Sequence, residues 1–325
     1  MTLLAYDAPV KALLDQGYPD EVAVEKWPDY AAQFGLSAEH IPVLMQMLQD
    51  EHLWALWQGD DEPAFIAVER ALPSDADLET LMFGPIHAWR ALGQLQAIAA
   101  MPALIEVLQA QDMDWCWEEL PQVFALMGPA ALPGLEQALQ DLDLSDENKI
   151  TVVEGIEHLV QAHPDSRDDC IRLMTDKLAA ASDNEPDLNG SLVNNLIKLK
   201  AIESVAVIEA AYNADQVDQM FAGSWPAVQV SLGLKDNSDF SQEELAPKLS
   251  PQMQALRDSL AKLEAEQIRA RKPTAWDLGL PIDRHIFDPT APPDFKALTR
   301  SPTPKSSHSG FGGKAPKGKK KKKKR

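Results

Sequence analysis

Cysteine is scarce: Cys116 and Cys170 are the two in 325 residues. That count excludes a disulfide framework and a knuckle of paired cysteines. Long apolar runs are missing too; none approaches the ~18 residues a membrane span needs. The opening stretch, MTLLAYDAPVKALLDQG, carries Asp7 early and has no basic n-region, so it does not read as a signal peptide. The expectation is a cytoplasmic protein with no membrane span. Period-two alternation of β-branched residues is nearly absent, which argues against a sheet. His-Glu-x-x-His, Gly-x-Ser-x-Gly and phosphate-cradling glycine loops are likewise missing. The seven histidines are scattered, and His158 and His163 lie five apart, a poor fit to one helical face. They read as helix-end and surface residues rather than metal ligands. No catalytic residue, metal or cofactor is expected on these grounds.

Positive charge is also sparse over most of the chain. The last 25 residues hold ten of the 30 basic residues and no acid. Positions 1–300 therefore carry 20 basic against 50 acidic residues, a net charge of −30. Such a body repels nucleic acid, whereas the run Lys319, Lys320, Lys321, Lys322, Lys323, Lys324 and Arg325 attracts polyanions. Residues 301–325 read as disordered on composition. A flexible segment of roughly 30 residues reaches about 30 Å by coil statistics. The arm is thus long enough to bind RNA or another polyanion outwardly, or to touch the acidic body.

What the chain does contain is self-similarity. IPVLMQMLQD from Ile41, MPALIEVLQAQD from Met101 and LPGLEQALQDLD from Leu132 share one pattern. An apolar residue is followed by Pro, any residue, Leu, three more residues, then Leu-Gln. The leucine pairs 44/48, 104/108 and 135/139 are four apart and share a helical face. Proline is tolerated in the first helical turn, where its missing N–H has no intrahelical partner. A second helix type alternates with the first, anchored by Leu92, Leu126, Leu159, Leu196 and Leu232 at spacings of 34, 33, 37 and 36. Two helices per unit at this period predict an all-α chain of the α-solenoid kind.

AMPALIEVLQAQDMDWCWEELPQVFALMG (100–128) resembles the HEAT-like repeats of phycobilisome-lyase-type proteins: proline, leucine pair, aspartate turn, then a second helix ending in Leu-x-Gly. The family usually has Val-Arg after the aspartate, where this chain has Trp-Cys-Trp. WRALG (89–93) matches the opening of a tetratricopeptide repeat, yet Gln96 stands where that motif wants Tyr, and the helix-opening prolines favour HEAT. The resemblance covers about residues 37–235. It implies a right-handed α-α superhelix, and a bilin lyase or chaperone-like activity as the alternative to plain protein binding.

The organisation expected is an N-terminal helical cap (1–36), the HEAT-like solenoid (37–249), a C-terminal helix (250–272) and a Pro-rich linker with the poly-Lys tail (273–325). Residues 49–85 stretch the first repeat as an insertion. Trp is frequent, with five of eight between positions 54 and 117. Trp89, Arg90, Trp115, Trp117 and Glu118 are therefore the candidate partner-binding residues, since exposed Trp is favoured at binding hot spots. Cys116, flanked by Trp115 and Trp117, has acids as its nearest charges. These raise a thiol's pKa, so a structural cysteine is favoured over a nucleophile. The functional expectation is a non-enzymatic scaffold or adaptor that binds another protein through an acidic, Trp-containing groove.

Overall fold

The computed structural model describes residues 5–19, 23–59, 62–111, 113–248, 254–260 and 262–263, and these contain helices and no strand. The chain divides into two units, Met1–Leu256 and Arg257–Arg325. The α-helices of the first are α1 (Tyr30–Phe34), α2 (Ile41–Leu48), α3 (Glu51–Ala55), α4 (Pro63–Ala71), α5 (Leu78–Leu81), α6 (Gly84–Gln94), α7 (Met101–Ala110) and α8 (Asp114–Met127). They continue with α9 (Leu132–Gln140), α10 (Asp146–Ala162), α11 (Arg167–Ala179), α12 (Pro186–Lys198), α13 (Val205–Asn213), α14 (Gln219–Ala222), α15 (Trp225–Ser231) and α16 (Gln242–Leu245). Residues 254–260 and 262–263 are helical as well.

The repeated sequence pattern becomes a repeated local device. A 3₁₀ turn runs directly into α2, α7, α9, α11 and α13, at Ala38–His40, Ile98–Ala100, Pro129–Ala131, Pro164–Ser166 and Ile202–Ser204. Each turn is closed by an i→i+3 bond, such as Ala100 N–H to Ala97 O at 2.8 Å and Ser204 N–H to Ala201 O at 3.1 Å. The tightened turn gives partners to backbone groups that a bare helix start leaves open. The preceding helix also ends alike at two joints. Leu95-Gln96-Ala97-Ile98 and Leu199-Lys200-Ala201-Ile202 place Gln96 at φ 51° and Lys200 at φ 53°. Ala97 N–H then reaches Leu92 O, and Ala201 N–H reaches Leu196 O, each at 3.0 Å. This is the Schellman closure of a helix end.

Contacts run in order along two series of helices. α6, α8, α10, α12 and α14 pack each on the next, and so do α2, α7, α9, α11 and α13. One continuous hydrophobic core runs between them from Tyr6 to Leu232. The leucine pairs 44/48, 104/108 and 135/139 are all buried, as are anchors Leu92, Leu159, Leu196 and Leu232; Leu126 is half-buried. The second-series helices approach closely: a Cβ on Gly155 of α10 would lie 2.7 Å from Phe124 of α8. The insertion folds as α3, α4 and α5 and adds a small core of its own, in which Phe65, Leu72 and Leu78 pack on Ala55, Leu56 and Val68.

The sequence expectation named three first-type helices and passed over α11 and α13, which lack the helix-opening proline and the Leu-Gln ending. Within the cap, Val10–Asp15 coils as a 3₁₀ helix, while α1 ends at Gly35 in the left-handed conformation.

Candidate functional site

Two of the five candidate residues do not line a surface. Trp89 and Arg90 of α6 are 0% and 2% exposed, and both hold the fully buried Glu119 of α8. Trp89 Nε1–H and Arg90 Nε–H each donate to Glu119 Oε2 at 2.8 Å, and Arg90 Nη2 donates to Oε1. The Arg90 guanidinium also lies 4.7 Å above the Trp27 ring. A buried cation must have such partners, because desolvation is prohibitive without them. Burial pushes the Glu119 carboxyl up, while the hydrogen bond and charge of Arg90 and the Trp89 N–H pull it back. The expected groove role of Trp89 and Arg90 is thus corrected: they form an internal polar core.

That core fastens the N-terminal segment. His87, Arg90 and Gln94 lie at i, i+3 and i+7 on one face of α6. Tyr30 Oη is 2.7 Å from His87 Nδ1, and His87 Nε2 is 2.8 Å from Gly17 O. A carbonyl only accepts, so Nε2 carries the proton and Nδ1 accepts from the Tyr30 hydroxyl. Burial is the main cause holding the His87 ring down at about 4, so it is neutral. Gln94 Nε2 donates to Pro28 O, Gln94 Oε1 accepts from Tyr30 N–H, and Gln122 Oε1 of α8 accepts from Val24 N–H. The N-terminal segment is therefore stitched across α6 and α8 by side chains from both.

The other three candidates lie on α8 at the surface. Trp115 and Trp117 are half-buried and Glu118 is exposed. Two residues apart on a helix, the tryptophans point to opposite sides. Trp117 packs against the core, and its shielded indole N–H has no acceptor among the described residues. Trp115 joins an aromatic cluster that sequence reading missed. Tyr18 meets Phe83 edge-on at 5.2 Å and Trp115 at 5.7 Å, and Phe83 also meets Trp57 at 5.2 Å. Tyr18 remains 61% exposed.

Cys116, between the two tryptophans, is fully buried, and its thiol is pushed up to about 12 by burial and then by Glu119. An inaccessible thiol in that state is no nucleophile, in keeping with the structural role expected. Cys170 is buried too.

The open surface of the second helix series is a narrow stripe. On α8 it is Trp115, Glu118, Gln122 and Leu126; on α10 it is Glu147, Ile150, Glu154, His158 and Gln161. Pockets sit at both ends of the α10 stripe. One of about 380 Å³ is lined by Asp146, Glu147, Ile150, Glu185, Asp187 and Phe221. The other, of about 570 Å³, lies among Glu25, Gln96, Gln122, His158, Gln161 and His163, with apolar neighbours. Burial, and then the Asp218 carboxyl beside it, raise the Asp187 carboxyl above the usual carboxylate range. Burial likewise raises Glu154 and lowers His158. On α8 and α10 the stripe is thus acidic with apolar points at Trp115 and Ile150, while Lys198 of the next helix in the series, α12, lies near enough to Glu154 to act on its carboxyl.

Among the described residues no group of three or more His, Cys, Asp or Glu is placed to hold a metal ion, and no helix is long and apolar enough to cross a membrane. The tail residues Lys319, Lys320, Lys321, Lys322, Lys323, Lys324 and Arg325 lie outside the described residues. No protein-family model, curated protein or solved structure matches the chain.

Proposed function

We propose that this chain is a non-enzymatic protein-binding scaffold: a cytoplasmic, HEAT-like α-solenoid, wound as a right-handed superhelix, that receives a basic segment of another protein along its second helix series. One observation carries the reading. The stripe of α8 and α10 sets Glu118, Glu147 and Glu154 beside Trp115 and Ile150, and ends in a pocket where Glu147, Glu185 and Asp187 lie beside Phe221 and Asp146 is paired with Lys149. Carboxylates attract and orient a basic partner, and the apolar points supply burial. Stacking of helix pairs on their neighbours alone suits such an extended face.

The test is capture of partners by the full chain, with mass-spectrometric identification, against the variant Glu118→Gln/Glu154→Gln/Asp187→Asn. Partners captured through the stripe carry basic segments, and the variant loses them at physiological salt. Undiminished capture by the triple variant overturns the reading.

A further inference from the structure

We infer that Tyr18 and Trp115 are the anchor of this binding face and take a cationic side chain of the partner, arginine in preference to lysine, with Glu118 as its counter-ion. The inference rests on the protein-binding reading above and adds a residue, Tyr18, that the sequence pattern does not mark.

Tyr18 is an unusual side chain to leave open. It is 61% exposed, yet its ring is held edge-on by Phe83 (84° between planes) and by Trp115 (76°). Phe83 is 8% exposed and is itself braced edge-on by Trp57, whose indole N–H donates to Met82 O at 2.7 Å. The backbone beneath Tyr18 is fixed as well. Gly17 sits at φ 66°, a conformation that suits glycine, and its carbonyl accepts from the buried His87. An exposed ring on a pinned backbone binds with little ordering cost.

Charge selects the occupant. Trp115 is the second residue of α8, and Glu118 lies one turn on, over the same face. Asp114 and Glu118 are both exposed, and neither takes part in an ion pair among the described residues. Positions 1–300 carry a net −30. Aromatic faces attract cations through their quadrupole, and the flat guanidinium stacks on them better than an ammonium does. An acidic surface bearing an open Tyr–Trp pair therefore fits an arginine-bearing segment rather than an apolar or acidic one.

Titration of the full-length chain with synthetic octa-arginine and octa-lysine at physiological salt tests this. The unmodified chain is expected to bind octa-arginine several-fold more tightly. Tyr18→Leu and Trp115→Leu keep apolar bulk and remove the ring, and each should weaken octa-arginine about two- to fivefold and erase the preference over octa-lysine. Glu118→Gln should weaken both peptides together. Tyr18 is exposed, so a thermal melt unchanged by Tyr18→Leu checks that the fold is kept. If both ring variants bind like the unmodified chain while Glu154→Gln/Asp187→Asn weakens binding, the anchor is overturned and the acidic face stands. If neither peptide binds the unmodified chain, both ideas fall.

Discussion

Glu119 and Asn189 occupy the same place in two units and solve the same problem differently. Each lies seven residues before its anchor leucine, Leu126 and Leu196, and each is fully buried. In the N-terminal region the place holds a charge, paired with Arg90 and Trp89 from the preceding helix of the series. In the C-terminal region it holds an amide. Asn189 Nδ2 donates to Ala181 O at 2.9 Å and Gln216 O at 2.8 Å, and its Oδ1 accepts from Asn184 Nδ2. The charged version reaches across to the N-terminal segment through Tyr30 and His87, whereas the neutral version ties two loops beside it. A single frame thus accepts an ion pair where a distant segment must be fastened and an amide where only local turns need closing.

Removing one member of the ion pair should break the comparison most strongly. Glu119→Ala leaves the Arg90 charge buried without its carboxylate, at a cost of about 3–5 kcal/mol, read as a lowered denaturation midpoint. The double change Arg90→Met/Glu119→Leu should recover part of that loss, because an apolar pair avoids the desolvation while the buried Trp89 N–H loses its acceptor.

The pH dependence comes next. The folded His87 is held at about 4, below the 6.5 of the free ring. As pH falls from 6.5 towards 4 the unfolded chain takes a proton that the folded one refuses. Stability is therefore full above 6.5 and declines below it, by roughly 3 kcal/mol at the limit. His87→Gln should flatten that slope in acid denaturation curves, while Asn189→Ala should leave it unchanged. Asn189→Ala itself should cost about 1–3 kcal/mol, by removing the buried amide that donates to Ala181 O and Gln216 O and accepts from Asn184 Nδ2.

The smallest effect concerns the two matching joints. Gln96→Gly and Lys200→Gly relieve a left-handed backbone at residues with a Cβ. Each should change stability by no more than about 1 kcal/mol, with Lys200→Gly the less favourable of the two in thermal midpoint because the Lys200 ammonium donates to Ser231 O at 2.8 Å.

Much of the helical frame was legible because it is periodic. Leucine pairs four apart, and anchors near every 35 residues, mark faces that must be buried. Helices α11 and α13 were passed over because Cys170, Met174 and Leu178, or Ile208 and Ala211, fill the same buried places without the proline or the Leu-Gln ending. The candidate site was legible only in part. Trp89 and Arg90 looked like surface residues because their partner, Glu119, lies 29 or 30 positions away in sequence. The signal was present nonetheless: an acid at a repeat position where Val152 is buried one unit later. Tyr18 gave no signal, since its neighbours Phe83 and Trp115 come from elements far along the chain.

The two Leu-x-Ala-Ile joints begin at residues 95 and 199, 104 residues apart, which is three units of about 35. Because both close a helix with nearly the same dihedral angle and lead into the same kind of 3₁₀ turn, a crossover between their coding segments would remove or add three whole units in frame. The helix on either side would meet the geometry it already has. Chain length is therefore a variable that recombination can alter in one step, and the joints, rather than the helices, are what would have to stay constant.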